Sequence, residues 1–303
     1  MRNIIGNCYN GFIMTLAKLK QQFMTYLETD QGRSVKTIEN YSRYIERFFD
    51  FTQVKKPSEI TEERIREFSL YLKRQSGSKA NGRSKPMKQR TQNYYLIALR
   101  SFLKFVQKQG VESLSPERIK LSKVPERPLE IVSLTEIKRL LDAPDQKTLE
   151  GKRDRAILEL LFSTGLRISE LTGLCVADVD LLRDEFSVRG KRGKIRRVFL
   201  SDTARKSVQE YLQNRKDLDD ALFVRYGRKM HDGGDPRLSP RAVQRLVKKY
   251  AGASGITKKV TPHVIRHSFA TYLMNNGVEL HSVQALLGHE NLVTTKVYTN
   301  VTK

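Results

Sequence analysis

The sequence predicts a mainly helical protein with a small β-sheet, built as two basic lobes joined by a tether. Most apolar residues of the 303-residue chain recur at the three- and four-residue spacing of amphipathic helices. Two short segments, EFSVRG and KIRRVFL, have the composition of strands and predict a β-hairpin whose tip is the cationic sequence Lys191, Arg192 and Gly193. Residues 113–128 carry three prolines and no sustained apolar period, which is typical of a tether.

The first lobe is expected to hold four helices. Thr61 can cap the third of them, and the segment 87–110 forms the fourth and ends at Gly110. The polar segment 77–86 between these two is predicted to be a loop. Helical spacing defines the first two helices through Leu16, Leu19, Phe23, Tyr26 and Leu27, and through Ile38, Tyr41, Ile45, Phe48 and Phe49.

The second lobe begins with a capping box from Ser133 to Glu136. Gly165 is predicted to end one helix and Arg167 to begin the next, and two later helices should start at Ser239–Pro240 and Thr261–Pro262. Asp178 and Asp180 are the closest candidates for paired metal-binding carboxylates, but a polar turn between helix and strand suits them better.

The charge of the chain points to a polyanionic partner. Fifty-six Lys and Arg against 33 Asp and Glu give +23, with 25 basic and 12 acidic residues before position 129 and 31 and 21 after it. Nucleic acid is therefore the expected partner. A membrane is disfavoured, because no stretch approaches 18 apolar residues and MRNIIGNCYNGFIM lacks the apolar core of a signal peptide. A cytoplasmic protein with Cys8 and Cys175 reduced is expected.

Four of the five histidines fall between residues 263 and 289. His263 and His267 have the i, i+4 spacing of a zinc pair, but Arg266 lies between them on nearly the same helix face and would repel a cation. His263 and Arg266 instead suit an anion site in the first turns of a helix. Arg167 could add a second guanidinium, or could form a salt bridge to Glu170.

Basic stripes on the helices supply the candidate DNA contacts. One stripe follows the second helix through Lys36, Asn40, Arg43 and Arg47, and the other follows the fourth, although a solvated face is the alternative for either. The helix after Ser239 offers base contacts in the second lobe. The candidate DNA-binding residues are Lys36, Arg43, Asn93, Arg100, Lys104, Arg241, Gln244 and Arg245.

Four fragments, TGLRISEL, RGKRGKIRRV, HVIRHSFAT and LLGHENLVTTKVYTN, occur in an order and at spacings that resemble the tyrosine recombinases of the phage integrase family, most closely the Xer-type members. The resemblance implies a helical N-terminal core-binding (SAM-like) domain at residues 13–112, a linker at 113–128 and a mixed α+β catalytic domain at 129–303. Together these would form a C-shaped clamp on DNA.

The same resemblance implies a catalytic set in which Tyr298 is the nucleophile and DNA becomes linked to it as a 3′-phosphotyrosine, without ATP, metal or other cofactor. His263 would be the acid/base partner of the tyrosine and Lys191 the general acid, with Lys194 as the runner-up. The full set is Arg167, Lys191, His263, Arg266, His289 and Tyr298. Nine residues on one unbroken helix would place His289 and Tyr298 on opposite faces, so Gly288 is expected to end a helix and Asn291 to cap the next.

The implied partner is double-stranded DNA with inverted binding sites, held by a tetramer on two DNA sites in the cytoplasm, associated with the nucleoid. The implied role is resolution of chromosome or plasmid dimers, or integration and excision of a mobile element. A type IB-like topoisomerase and a non-catalytic DNA-binding protein remain the alternatives.

Overall fold

The computed structural model describes residues 15–80, 83–125, 131–190, 193–226 and 235–288. The chain divides into two units, Met1–Arg127 and Pro128–Lys303. Within the described ranges, no helix combines the length and the apolar composition needed to cross a membrane.

The first unit is a bundle of helices around an aromatic core. Phe23 and Phe102 meet edge to face at 5.5 Å, and Phe48 and Phe68 do so at 5.1 Å, with all four rings fully buried. The predicted cap is confirmed, since the Thr61 hydroxyl accepts from a backbone amide of the third helix. The helices are α1 (Leu16–Thr29), α2 (Val35–Thr52), α3 (Glu62–Arg74) and α4 (Gln89–Lys108).

The prediction of a loop at residues 77–86 is wrong. The structure has two antiparallel strands there, β1 (Ser76–Ala80) and β2 (Arg83–Pro86), with Ser76 opposite Pro86 and Ala80 opposite Arg83. Polar composition hid the strands, because pairing between backbones needs no apolar side chains. The pair Asn81–Gly82, which lies outside the described residues, is the sequence signal of a two-residue hairpin connection.

Part of the segment predicted as a tether instead belongs to the core of the first unit. Ile119 is fully buried there, and Leu114 and Leu121 pack against the same cluster. Two side chains of α4 hold this segment by its backbone: Arg100 donates to the Ile119 carbonyl, and Asn93 exchanges hydrogen bonds with the carbonyl and amide of Ser122 at 2.8 and 3.3 Å. The apolar residues are too irregularly spaced to show a period, but Leu114, Ile119 and Leu121 all pack on the bundle.

The second unit is centred on α6 (Leu149–Thr164), whose residues Ala156, Ile157, Leu158, Leu160 and Leu161 are all fully buried. These residues lie on several sides of the helix, so other elements surround this part of it. The predicted helix starts at Ser133, Ser239 and Thr261 are confirmed by side-chain caps. The surrounding helices are α5 (Leu134–Asp142), α7 (Ile168–Gly173), α8 (Asp202–Asn214), α9 (Pro240–Ala253), α10 (Pro262–Asn275) and α11 (Leu280–Leu287).

The predicted hairpin of the second unit is confirmed. Strands β3 (Glu185–Arg189) and β4 (Ile195–Phe199) pair in antiparallel register, with Glu185 opposite Phe199 and Arg189 opposite Ile195. Phe186, Val188 and Val198 face the core of the unit. The polar turn before β3 is also confirmed, since the carboxylates of Asp178 and Asp180 accept backbone amides at 2.8 and 2.9 Å.

Candidate active site around the end of α11

Gly165 brings three helices of the second unit together. It ends α6 in the left-handed conformation at φ 58°. A β-carbon at this position would lie 2.7 Å from the Phe269 ring and 2.8 Å from the Leu287 side chain. Only glycine allows the end of α6 to approach α10 and α11 this closely. Arg167 follows two residues later and begins α7, as predicted.

Arg266 lies at the centre of this junction and is almost completely buried. Its guanidinium donates to the Gly165 carbonyl at the end of α6 and to the Leu287 carbonyl at the end of α11. The last carbonyls of a helix have no partner within the helix and carry its partial negative charge. A buried arginine therefore joins the ends of two helices, and those carbonyls in turn offset the cost of burying its charge.

Arg167 forms the salt bridge that the sequence leaves open as one of two interpretations, and its role at an anion site stays a prediction. Its Nη1 lies 2.8 Å from Glu170 Oε1, so the salt bridge is present, while its Nη2 donates to the Gly288 carbonyl at 2.7 Å. The side chain is one-third exposed. Arg167 and Arg266 thus bind consecutive carbonyls at the end of α11, which places both guanidinium groups beside one point of the backbone.

His263 lies in the first turn of α10, one helical turn before Arg266, and is exposed. Although the residue is exposed, the protein around it removes part of the hydration of the imidazole and so lowers its pKa, and the positive charges of Arg266 and Arg167 lower the pKa further. The ring is consequently neutral near pH 7 and able to accept a proton.

His267, one turn further along α10, is 1% exposed, and burial lowers its pKa to about 4. It is a residue of the core. Within the ranges that the structure describes, no group of three or more His, Cys, Asp or Glu is placed to hold a metal ion.

Arg196 is a member of this cluster that the sequence interpretation missed. Its two terminal nitrogens donate to both oxygens of Glu170 at 2.9 and 2.8 Å, and its Nε donates to the Leu286 carbonyl at 2.9 Å. Burial alone would raise the pKa of Glu170, but the hydrogen bonds from Arg196 and Arg167 outweigh it, and the net pKa is lowered. A signal existed in the sequence: Arg196 shares the inward face of β4 with Val198, and an inward-facing arginine requires a buried acceptor.

Three residues of the implied catalytic set, Lys191, His289 and Tyr298, lie outside the described residues, as does Asn291. The structure does describe what precedes them. Gly288 ends α11 at φ 62°, as predicted. The base of the hairpin tip is closed by a 2.7 Å hydrogen bond from the Gly190 amide to the carbonyl of Lys194.

The candidate DNA contacts differ in how the structure uses them. Asn93 holds the segment around Ile119 through its side-chain amide, and Arg100 does so through one guanidinium nitrogen. Their contact with DNA stays a prediction. Arg47, in the same stripe of α2 as Lys36, turns inward and donates to Tyr95 at 3.0 Å. The other candidates are all exposed: Lys36, Arg43, Lys104, Arg241, Gln244 and Arg245.

Comparisons with known proteins identify the family of both units. The model of the phage integrase family matches residues 130–303, and that of the phage integrase N-terminal SAM-like domain matches residues 21–110. Tyrosine recombinase XerA of Pyrococcus horikoshii is 36% identical over 283 residues, which cover 93% of this chain and 88% of that protein. Tyrosine recombinase XerC of Thermodesulfovibrio yellowstonii is 34% identical over 289 residues, which cover 92% and 90%.

A likeness to solved structures extends over both units. The crystal structure of XerH site-specific recombinase bound to palindromic difH substrate, a post-cleavage complex, matches with a TM-score of 0.69 at 21% identity and covers 94% of this chain and 82% of that one. At this identity the match supports the fold, mainly α with a small β-sheet. Since relatives above 30% identity align over more than nine-tenths of the chain, it belongs to the phage integrase family and is a site-specific tyrosine recombinase.

Proposed function

We propose that this protein cleaves and rejoins DNA at specific sites through a covalent 3′-phosphotyrosyl intermediate on Tyr298. The observation that carries the proposal is the convergence of Arg167 and Arg266, from α7 and α10, on consecutive carbonyls at the end of α11. From that end the chain continues to His289 and Tyr298. Relatives at more than 30% identity are named as recombinases, so a topoisomerase or a non-catalytic DNA-binding protein is not favoured.

The proposed chemistry needs no metal, nucleotide or other cofactor. The Tyr298 oxygen attacks the phosphorus as its proton passes to His263, and the bond from phosphorus to the 5′ oxygen breaks. Lys191 donates a proton to that oxygen. Two guanidinium groups neutralise the charge that develops on the phosphate.

The proposed substrate is double-stranded DNA with inverted binding sites, and strand exchange would take place within a tetramer on two such sites. The two units, of net charge +13 and +10, would close around the duplex as a C-shaped clamp. In this proposal residues 13–112 bind the core site, residues 129–303 catalyse, and residues 113–128 link them, although part of this linker packs on the first unit. The names of the relatives favour an Xer-type recombinase. The proposed role is resolution of chromosome or plasmid dimers, or integration and excision of a mobile element, and the proposed location is the cytoplasm, in association with the nucleoid.

The test is to trap the covalent adduct. The protein is incubated with fragmented DNA from its source, adducts that survive denaturation are recovered, and the attached DNA is sequenced. We expect the fragments to share an inverted motif and to be cut at one position. The matched control is Tyr298→Phe, which keeps the ring and removes the oxygen, so it should bind DNA like the wild type and give no adduct. Adduct formation by Tyr298→Phe would contradict the assignment of the nucleophile.

A further inference from the structure

Arg196 is a buried cation that the implied catalytic set does not include. It lies on β4, the second strand of the hairpin whose tip carries Lys191, and its side chain is only 10% exposed. The neighbouring Arg197 points the other way, is 74% exposed and pairs with Glu185 at 3.1 Å. The side chain of Arg196 is therefore directed into the protein, where its N–H groups need hydrogen-bond acceptors.

The contacts of Arg196 join separate elements of the second unit. Its fork binds both carboxylate oxygens of Glu170 on α7, and its Nε binds the carbonyl of Leu286, one residue before the end of α11. Because the guanidinium is planar and rigid, satisfying these acceptors together fixes their relative positions. Lysine, with a single nitrogen on a flexible stem, cannot reproduce that geometry.

Two glycines make room for this arrangement. A β-carbon at Gly288 would lie 3.1 Å from Cδ of Arg196, and one at Gly190 would lie 3.3 Å from Oε1 of Glu170 and 3.5 Å from Nη1 of Arg196. Gly288 precedes His289, and Gly190 precedes Lys191. The backbone thus passes close to Arg196 at Gly288 and at Gly190. Gly288 precedes the segment that carries the proposed nucleophile, and Gly190 directly precedes the proposed general acid.

We propose that Arg196 is a positioning residue that joins the β3–β4 hairpin to the end of α11. It thereby sets the position of the general acid relative to the nucleophile. The inference rests on the proposed function. Arg196 acts through Leu286 and Glu170 on the start of the segment that carries Tyr298, and does not itself bind the phosphate. Its loss slows cleavage of bound DNA and leaves DNA affinity unchanged.

The experiment compares Arg196→Lys and Arg196→Met with Arg197→Lys and Arg197→Met. The cleavage rate is measured at saturating DNA on a duplex nicked near the cleavage point, alongside DNA affinity and the thermal midpoint. We expect both Arg196 variants to form the covalent adduct at least about tenfold more slowly, with affinity within about threefold of the wild type. Both Arg197 variants should cleave at the wild-type rate.

Hydrogen exchange of the DNA-free protein gives a readout that does not depend on catalysis. The peptide over residues 280–288 should exchange faster in the Arg196 variants and not in the Arg197 variants, whereas the peptide over α6 should be unchanged in all of them. Unchanged exchange at α11, a wild-type cleavage rate in Arg196→Lys, or a loss of affinity and thermal midpoint in parallel with the rate would each overturn the proposal. If the wild type itself formed no adduct, the proposed function would fail, and the exchange data would still decide whether Arg196 anchors α11.

Discussion

The imidazole of His263 lies where protein atoms desolvate it and two guanidinium groups oppose its protonation. Its pKa is therefore lowered from the usual 6.5. If His263 takes the proton of Tyr298, only the neutral ring is active, so the cleavage rate should fall as the pH drops through this lowered pKa.

The first prediction concerns the pH at which the cleavage rate falls. The acidic limb of the rate profile, measured as covalent adduct formed per unit time between about pH 5 and 8, should have its midpoint below 6.5. In His263→Gln the remaining activity should lose this limb. A midpoint above 6.5, or an unchanged limb in the variant, would remove His263 from the role of base.

The hairpin lysines give a second prediction. If Lys191 protonates the leaving 5′ oxygen, Lys191→Ala should lose cleavage of ordinary DNA by a factor on the order of 10²–10⁴ while keeping DNA affinity. Lys194→Ala should be milder. The measurement is cleavage of a substrate with sulfur at the 5′-bridging position, since this leaving group needs no proton. Rescue of the Lys194 variant and not of the Lys191 variant would reverse the assignment.

At the scale of elements, the site depends on how closely three helices approach at Gly165. A third prediction is that Gly165→Ala destabilises the protein by roughly 2–4 kcal/mol, since a left-handed alanine is strained and its β-carbon would press on Phe269 and Leu287. The thermal or denaturant midpoint measures this cost.

The matched control is Gly277→Ala, at φ 83° with no atom within 4 Å of the added carbon. This substitution introduces backbone strain without a steric contact, so it should lower the free energy of unfolding by only about 1 kcal/mol. Equal losses at the two glycines would show that close packing at the end of α6 contributes little.

For the whole molecule, the charge of +23 implies that DNA binding is dominated by phosphate contacts. A fourth prediction is a slope of log affinity against log salt on the order of −5 or steeper, because each contact contributes about −0.9. Replacing Lys36 and Arg43 by alanine, or Arg241 and Arg245, should each make the slope shallower by about 1–2. If only one of the pairs changed the slope, the proposed clamp would be reduced to binding by a single unit.

The sequence by itself determined the family of this protein and most of its elements, the strands β1 and β2 being the exception. The cap residues Thr61, Ser133, Ser239 and Thr261 define helix starts through hydrogen bonds to amides only three residues away. The β3–β4 hairpin follows from strand composition on either side of a short connection. These features depend on neighbours in the chain, and sequence patterns record them directly.

Only the tertiary structure decided how the side chains are used. Arg196 donates a hydrogen bond to the carbonyl of Leu286, 90 residues away in the sequence, and Arg266 donates to that of Gly165, 101 residues away. Asn93 and Arg100, which the sequence places on one polar face of α4, also hold the segment at residues 119–122. Local periodicity states which face of a helix or strand is polar, but not which distant carbonyl or carboxylate will lie opposite it. That choice is made when the elements pack, because each buried donor must then find an acceptor.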